Sequence, residues 1–330
     1  MALQASGSIS FSQISNEFGR PTGKNIGAYR LNGGQTVGSL ANLPLDAGIP
    51  VSGQISFGNF YSKRLNIVVD FHSGDTESRQ TARDRYNLDN YVTVIGGFKI
   101  KPSSGAGSRV ITHVNKTIGS AQGNINNVAL KTGTWEPNTN LEVQIGPAGR
   151  IMGAGGNGGN GSTGGGGDAI SGTSALGVQY STTIINQGLI FGGRGGGGGG
   201  GGATFRRCGK NQRGCKGGST STLTGGGGAG GRGFPKGDGG TGGNAGTSGT
   251  VDSNGSPGEA KSGQGSSAGY SGTSGAGGSI ESSGGSGSPG SGGGFGGSRG
   301  YAIIVSPGVS VIDYSGNPRD GAQLDGGTVL

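Results

Sequence analysis

Apolar positions follow three regimes along the chain. In the first, Phe11, Ile14 and Phe18 lie at i, i+3 and i+7, one face of an α-helix. Ser10 stands at the N-cap and Gln13 follows three residues later, the spacing of a capping box. Gly19 is placed to close the helix in the left-handed conformation. The hexapeptide Ser6-Gly7-Ser8-Ile9-Ser10-Phe11 returns as Ser52-Gly53-Gln54-Ile55-Ser56-Phe57. Two short helical turns are therefore predicted, flanking an irregular segment with Pro44 and Pro50. Residues 1–64 hold too few large apolar side chains to be more than marginally stable alone. Their apolar faces, carried by Ile9, Phe11, Ile14, Phe18, Ile55, Phe57 and Phe60, are expected to dock onto a larger assembly.

In the second regime the period changes to two. Leu141, Val143 and Ile145 alternate with Glu142 and Gln144, the signature of a half-buried strand. Further strands are predicted at 65–71, 91–95 with 98–100, 109–114 and 128–130. Residues 65–150 thus read as a small antiparallel sheet or sandwich. The polar stretch 74–89 interrupts it, with Asp75 and Arg79 spaced for one exposed helical turn. Trp135 lies in the turn Thr134-Trp135-Glu136-Pro137 and is expected to be a packed loop residue.

In the third regime, residues 151–330, apolar segments punctuate glycine. Gly149-Arg150-Ile151-Met152-Gly153 matches Gly188-Leu189-Ile190-Phe191-Gly192. Each follows an alternating segment, 141–145 and 182–185, and each leads into glycine. Strand character returns at 301–305 and 309–312. The predicted fold class is mainly β: an N-terminal helix-turn module (1–64), an antiparallel β domain (65–150), and a glycine-rich stack closed by C-terminal strands (151–330).

Composition sharpens the third regime. Residues 151–300 hold 60 of the 85 glycines, including an unbroken run of eight at 195–202. Ordering each residue costs about 1–2 kcal/mol of backbone entropy, and glycine loses the most. A flexible linker is the default reading of such a tract. One ordered alternative exists. Polyglycine in the polyproline-II conformation makes no internal hydrogen bonds and turns its backbone groups outward with threefold symmetry. Neighbouring strands, with no Cβ in the way, bond to one another and need almost no hydrophobic core. The non-glycine residues cluster between glycine runs, as turns of such a polyglycine-II lattice would.

The chain is 29% apolar and 13% charged, both low for a globular domain, which argues against a single compact enzyme. Collagen is excluded, because it needs glycine at every third position with abundant proline. Only two histidines, His72 and His113, and two cysteines are present. No metal site, cofactor or catalytic group is expected. Asp70, Asp75, Glu77, Asp313 and Asp320 are not paired by spacing as glycoside hydrolysis requires, and His113 reads as a surface or packed residue of a strand. Neither a signal peptide nor an apolar run of membrane-spanning length is expected. Net charge is +8, and five basic residues crowd one short stretch: Arg206, Arg207, Lys210, Arg213 and Lys216. One concentrated basic loop suits an anionic ligand better than a nucleic-acid coat; a solvated loop that aids solubility is the plainer alternative. Cys208 and Cys215 bracket the loop, as a stiffening disulfide, as free thiols or as part of a metal site.

The composite of residues 9–19 and 49–61, Ile-Ser-Phe-Ser-Gln-Ile-Ser-Asn-Glu-Phe-Gly followed by Ile-Pro-Val-Ser-Gly-Gln-Ile-Ser-Phe-Gly-Asn-Phe-Tyr, resembles an attachment module of bacteriophage tail and tail-fibre proteins. Residues 149–316 are similar in style to the glycine-rich, polyglycine-II tip adhesins of T-even-type long tail fibres. The resemblance implies a virion tail-fibre protein assembled in the host cytoplasm. Its N-terminus would dock to other tail or baseplate proteins, and its distal loops would bind a bacterial surface receptor, an outer-membrane protein or an anionic glycan. Phe205, Phe234 and Tyr270 would offer aromatic faces beside the five basic residues. A homo-oligomer, a trimer in a fibre, is expected, with a monomeric tip as the alternative. The alternative is a purely structural tail or baseplate protein. An RNA-binding protein would spread arginine through the glycine tract, and an ice-binding protein would need a regular triplet repeat; neither pattern is present, and no nucleic-acid partner is expected.

An ordered tract should resist limited trypsin digestion at Arg194, Arg232, Lys236, Lys261 and Arg299. Rapid cutting at all five would mean a disordered one.

Overall fold

A computed structural model describes residues 2–18, 25–29, 48–50, 52–71, 80–81, 105, 107–162, 165–199, 203–207, 219–223, 227, 230–239, 295–313, 319–320, 323–325 and 327. The helix α1 spans Phe11–Phe18. Its cap is reciprocal: the Gln13 N–H donates to Ser10 Oγ at 3.3 Å and the Ser10 N–H to Gln13 Oε1 at 2.8 Å. The second copy of the hexapeptide caps a single 3₁₀ turn, Phe57–Phe60, and there the Ser56 N–H donates to Asn59 Oδ1 at 2.8 Å. Ile14, Phe18, Tyr29, Ile49, Phe60 and Leu65 close a small core, with Phe18, Tyr29 and Phe60 in edge-on ring contacts.

Strands follow in chain order: β1 (Ile67–Phe71), β2 (Gln80–Thr81), β3 (Arg109–Val114), β4 (Thr117–Ile118), β5 (Val128–Lys131), β6 (Asn140–Ile145), β7 (Arg150–Met152), β8 (Ser174–Val178), β9 (Thr182–Asn186), β10 (Leu189–Phe191), β11 (Ala203–Arg207), β12 (Ser219–Leu223), β13 (Ile303–Val305), β14 (Val311–Asp313), β15 (Arg319–Asp320) and β16 (Gln323–Asp325). Three sheets are parallel throughout, in the orders β1-β3-β6-β9-β14, β15-β10-β7-β4 and β16-β13-β8-β5-β2. From β3 onward the chain visits them cyclically, first, second, third, leaving out only the β11–β12 hairpin. The result is a three-sided parallel β-solenoid of four coils, begun by β1 and β2.

Its interior is a set of ladders. Ile118, Ile151 and Ile190 stack in register on the second side. Leu130, Leu176 and Ile303 do so on the third, and Thr112, Val143 and Ile184 on the first. All of these residues are fully buried, and a single core joins the three sides. The internal match seen in sequence is such a rung: Arg150, Ile151 and Met152 pair with Leu189, Ile190 and Phe191.

The mainly β class is as expected, but the antiparallel arrangement of residues 65–150 is corrected: those strands are parallel. Side-chain alternation is common to parallel and antiparallel strands, so it carries no direction. Strands on both sides of residue 150 share every parallel sheet. The expected strands at 91–100 and the turn at Asp75 lie outside the described residues. The outer face of the first side is covered too: Ile111, His113, Glu142 and Gln144 are buried. Glu142 is held there by Arg109 at 2.7 Å and by the Gln144 amide at 2.8 Å. Trp135 is buried and donates to the Thr132 carbonyl at 2.9 Å.

Between the second and third sides the coils open into glycine-rich excursions, 153–173 and 192–302. Their hydrogen bonds advance in steps of three. Gly153, Gly156 and Gly159 donate to the carbonyls of Phe191, Arg194 and Gly197. Gly155 and Gly158 donate to Pro235 and Asp238. Gly167, Ile170 and Thr173 donate to Asn160, Asn157 and Ala154. Gly193, Gly196 and Gly199 donate to Thr173, Ile170 and Gly167, and Ala169 and Gly172 to Phe295 and Ser298. These bonds are 2.8–3.0 Å long. Each strand thus bonds to several neighbours, parallel and antiparallel. A Cβ at Gly156 would lie 1.8 Å from the Ile170 carbonyl oxygen, and one at Gly159 would lie 1.9 Å from that of Gly167, distances no packed carbon tolerates.

Gly156→Ala should therefore lower stability by about 3 kcal/mol, read as a fall in the denaturant midpoint, whereas Ile170→Ala, at an exposed side chain, should change it little. Burial raises the pKa of Glu142, but hydrogen bonds from Arg109 and Gln144 and the Arg109 charge outweigh it, and the net value is lowered. A depressed carboxyl stabilises the fold above its unfolded pKa of about 4.3, and that stability is lost as pH falls through the lower folded value. Acid unfolding of Glu142→Gln should show a shallower loss below that pH than the parent chain.

Candidate functional site

The register of the glycine strands gives the array two ends. Strands 153–160 and 192–199 leave the solenoid side by side from β7 and β10. Their far ends align: Gly159 bonds to Gly197, Gly158 to Asp238, Gly199 to Gly167, and Ala169 to Phe295. The connections 161–166, 200–229 and 240–294 all depart from this far end. The described strand ends that flank these connections are bonded together because every excursion must run out and return.

The loop 200–229 carries the basic stretch. Its described part is the antiparallel hairpin β11–β12, paired from Ala203↔Leu223 to Arg207↔Ser219. Residues 208–218, which connect the two strands, lie outside the described residues. The backbones of Phe205, Arg206 and Arg207 lie on β11. Lys210, Arg213, Lys216, Cys208, Cys215 and Tyr270 lie outside the described residues.

Phe234 is placed elsewhere. It stands at the near end, half-buried, where the chain reverses at the cis Phe234–Pro235 bond. Its carbonyl accepts from the Ser120 N–H at 3.2 Å. A Cβ at Gly119 would lie 2.2 Å from that oxygen. Gln122 braces the same junction, donating to the carbonyls of Gly155 at 3.1 Å and Lys236 at 2.9 Å. Phe234 thus sits where the array joins the solenoid, at the end opposite the strand ends at Gly159, Gly199 and Phe295. A proline turn between glycine runs has the same sequence signature at either end.

The interior of the array holds charge. Arg194 is fully buried. Its guanidinium and that of Arg232 each lie 5.0 Å from the Phe191 ring centroid, within cation–π range. The Arg194 N–H donates to the Arg232 carbonyl at 2.8 Å. Of the five expected trypsin sites, Arg194 is thereby enclosed, Lys236 is exposed, and Lys261 lies outside the described residues.

At the loop end one residue stands out that sequence reasoning missed. Phe295 is 73% exposed and Ile170, on the adjoining strand, is 40% exposed. The Phe295 N–H donates to Asp168 Oδ1 at 2.8 Å, and its carbonyl accepts from Ala169 at 2.9 Å. An isolated phenylalanine in a glycine run was the available signal.

In the N-terminal module, Ile14, Phe18 and Phe60 are spent on its own core. A helix this short must bury its largest side chains to persist. Ile9, Phe11, Ile55 and Phe57 are half-buried, with Phe11 and Phe57 in edge-on contact at 4.8 Å. Glu17 accepts from the N–H of Leu65, a member of the same small core, at 2.9 Å.

Among the described residues no group of three or more metal-ligating side chains is present, and no helix is long and apolar enough to cross a membrane. The family model described as phage tail fibre adhesin Gp38 matches residues 67–327. No curated protein matches the chain. The solved gp37–gp38 adhesin tip complex of the bacteriophage S16 long tail fibre is 19% identical, with a TM-score of 0.38, over 98% of this chain and 100% of that one.

Proposed function

The chain belongs to the phage tail fibre adhesin Gp38 family, whose model spans its solenoid and glycine array, and from that premise we propose that it is the receptor-binding end of a tail fibre. The observation that carries this reading is that the strand ends flanking 161–166, 200–229 and 240–294 are hydrogen-bonded together at the far end of the array. Such an array holds loops on fixed stems, so binding groups lose little entropy on contact. The period-three hydrogen bonds and the exclusion of Cβ atoms support a polyglycine-II arrangement of the strands. The basic residues Arg206, Arg207, Lys210, Arg213 and Lys216, with Phe205 and Tyr270, contact the host receptor from loops 200–229 and 240–294.

The module 1–64 precedes the residues matched by the family model. It seats the adhesin on another tail protein through the half-buried apolar groups Ile9, Phe11, Ile55 and Phe57, which pack against its core. All three sides of the solenoid come from one chain, so closing the fold needs no second copy, which favours a monomeric tip over a trimer. The protein acts by binding rather than catalysis, in the virion tail after assembly in the host cytoplasm.

The full-length chain should bind susceptible cells and block phage adsorption. Replacing the five basic residues by serine should weaken cell binding about tenfold, at a few tenths of a kcal/mol per exposed charge, and should flatten its salt dependence. A full-length chain that neither binds susceptible cells nor blocks adsorption would leave only a structural role in the tail.

A further inference from the structure

We infer that the corner loop 119–122 is an end stop that selects the register of one glycine hairpin, and that Gln122 is thereby a positioning residue for both long connections of the array. The positioning role rests on the receptor-binding reading above; the stop itself does not. At the corner between the second and third sides, the first coil passes from β4 to β5 through 119–127 with no glycine excursion. In the third coil the chain dips back to the root between its two long connections. Residues 230–233 run inward, 234–236 turn, and 237–239 run outward, with the Gly237 N–H bonded back to Gly231 at 2.9 Å. The corner loop meets that turn. The Ser120 N–H holds the Phe234 carbonyl, and one Gln122 amide donates to both Lys236 and Gly155, tying the turn to the neighbouring strand.

The other backbone bonds of the hairpin do not fix where it stops. They repeat every three residues, as Gly155 to Pro235 and Gly158 to Asp238 do, so a shift by three offers equivalent partners. Packing excludes only one direction. A Cβ at Gly230, Gly231 or Gly237 would lie 2.0 Å from a carbonyl oxygen, and one at Gly233 would lie 2.2 Å from the Gly155 nitrogen. An outward shift by three would require Phe234 at the places of Gly231 and Gly237 at once, which is impossible. An inward shift brings Gly227, Gly228, Gly230 and Gly240 to the places of Gly230, Gly231, Gly233 and Gly237. Glycine replaces glycine at each tight point. The shift forfeits the Arg232 contact with the Phe191 ring, one interaction against a full set of equivalent backbone bonds. The corner loop is what blocks it. A Cβ at Gly119 would already lie 2.2 Å from the Phe234 oxygen, and three residues would carry the turn about 9 Å further in, at roughly 3.1 Å per residue. The hairpin separates connections 200–229 and 240–294, so its register sets where both begin.

The test uses the full-length chain with Gln122→Ala, which removes both donors, and Gln122→Glu, which keeps the size and repels both carbonyls. In each, trypsin cutting at Lys236 should rise about tenfold, the scale of lost hydrogen bonds, while cutting at Lys131, at the end of β5, stays at the parent rate. Binding to susceptible cells should fall about fivefold as the connections lose their fixed base. Hydrogen exchange on the parent chain needs no variant: amides of 230–237 should be protected together with those of 153–159. Unprotected amides at 230–237 overturn the stop. So does a Lys236 rate that neither variant changes, or one that rises only together with Lys131, which would make Gln122 a general stabiliser. Faster cutting at Lys236 with cell binding at the parent level overturns the positioning role and leaves the receptor-binding reading intact. A parent chain that binds no susceptible cell removes that reading and the positioning role with it, and digestion then decides the stop alone.

Discussion

Carbonyl oxygens in the glycine array occupy the space where neighbouring side chains would begin. At Gly153, Gly156, Gly159, Gly193 and Gly300 a Cβ would meet one within 2.0 Å. Strands this close satisfy each other's backbone groups directly, so the array dispenses with the hydrophobic core that other domains need. Arg194 is enclosed within the array, with its charge against the Phe191 ring. The closeness of the strands also explains the composition, because no residue larger than glycine fits at these points and substitution is confined to positions that face outward or lie in turns.

The solenoid supplies what the array lacks, a fixed starting register. β7 and β10 are paired rung on rung before either enters glycine. The Gly153–Phe191, Gly156–Arg194 and Gly159–Gly197 bonds extend that pairing outward. Glycine strands alone would have no side chains to fix their alignment, and a slip would cost little. Here the isoleucine ladder of the second side fixes it at the root. Gln122 and the Phe234 carbonyl hold the returning strand against the same base.

Periodic features were legible from sequence. The Ser10–Gln13 cap, the strands at 109–114 and 141–145, and the stacked repeat of 149–153 on 188–192 all appear where the pattern places them. Strand direction was not legible, since alternation is indifferent to it. Nor were β4 and β15, each two residues long, too short to show a period. At the site, the basic stretch was visible as a cluster, and the place of Arg206 and Arg207 on a strand could not be read from charge alone. Phe234 and Phe295 look alike in sequence, each a lone aromatic in glycine. Only the direction of the strands that carry them separates a brace at the root from an exposed ring at the tip.

The glycine excursions leave the solenoid at one corner, between its second and third sides, and return to the next strand in register. Leu176 pairs with Ile303 although 126 positions separate them. Doubling such a loop adds only about 0.6 kcal/mol of closure entropy. The length and content of the loops are therefore nearly decoupled from the scaffold's folding energy. A lineage can lengthen, shorten or exchange them while the rungs stay aligned, and so explore new recognition surfaces without first rebuilding the structure that presents them.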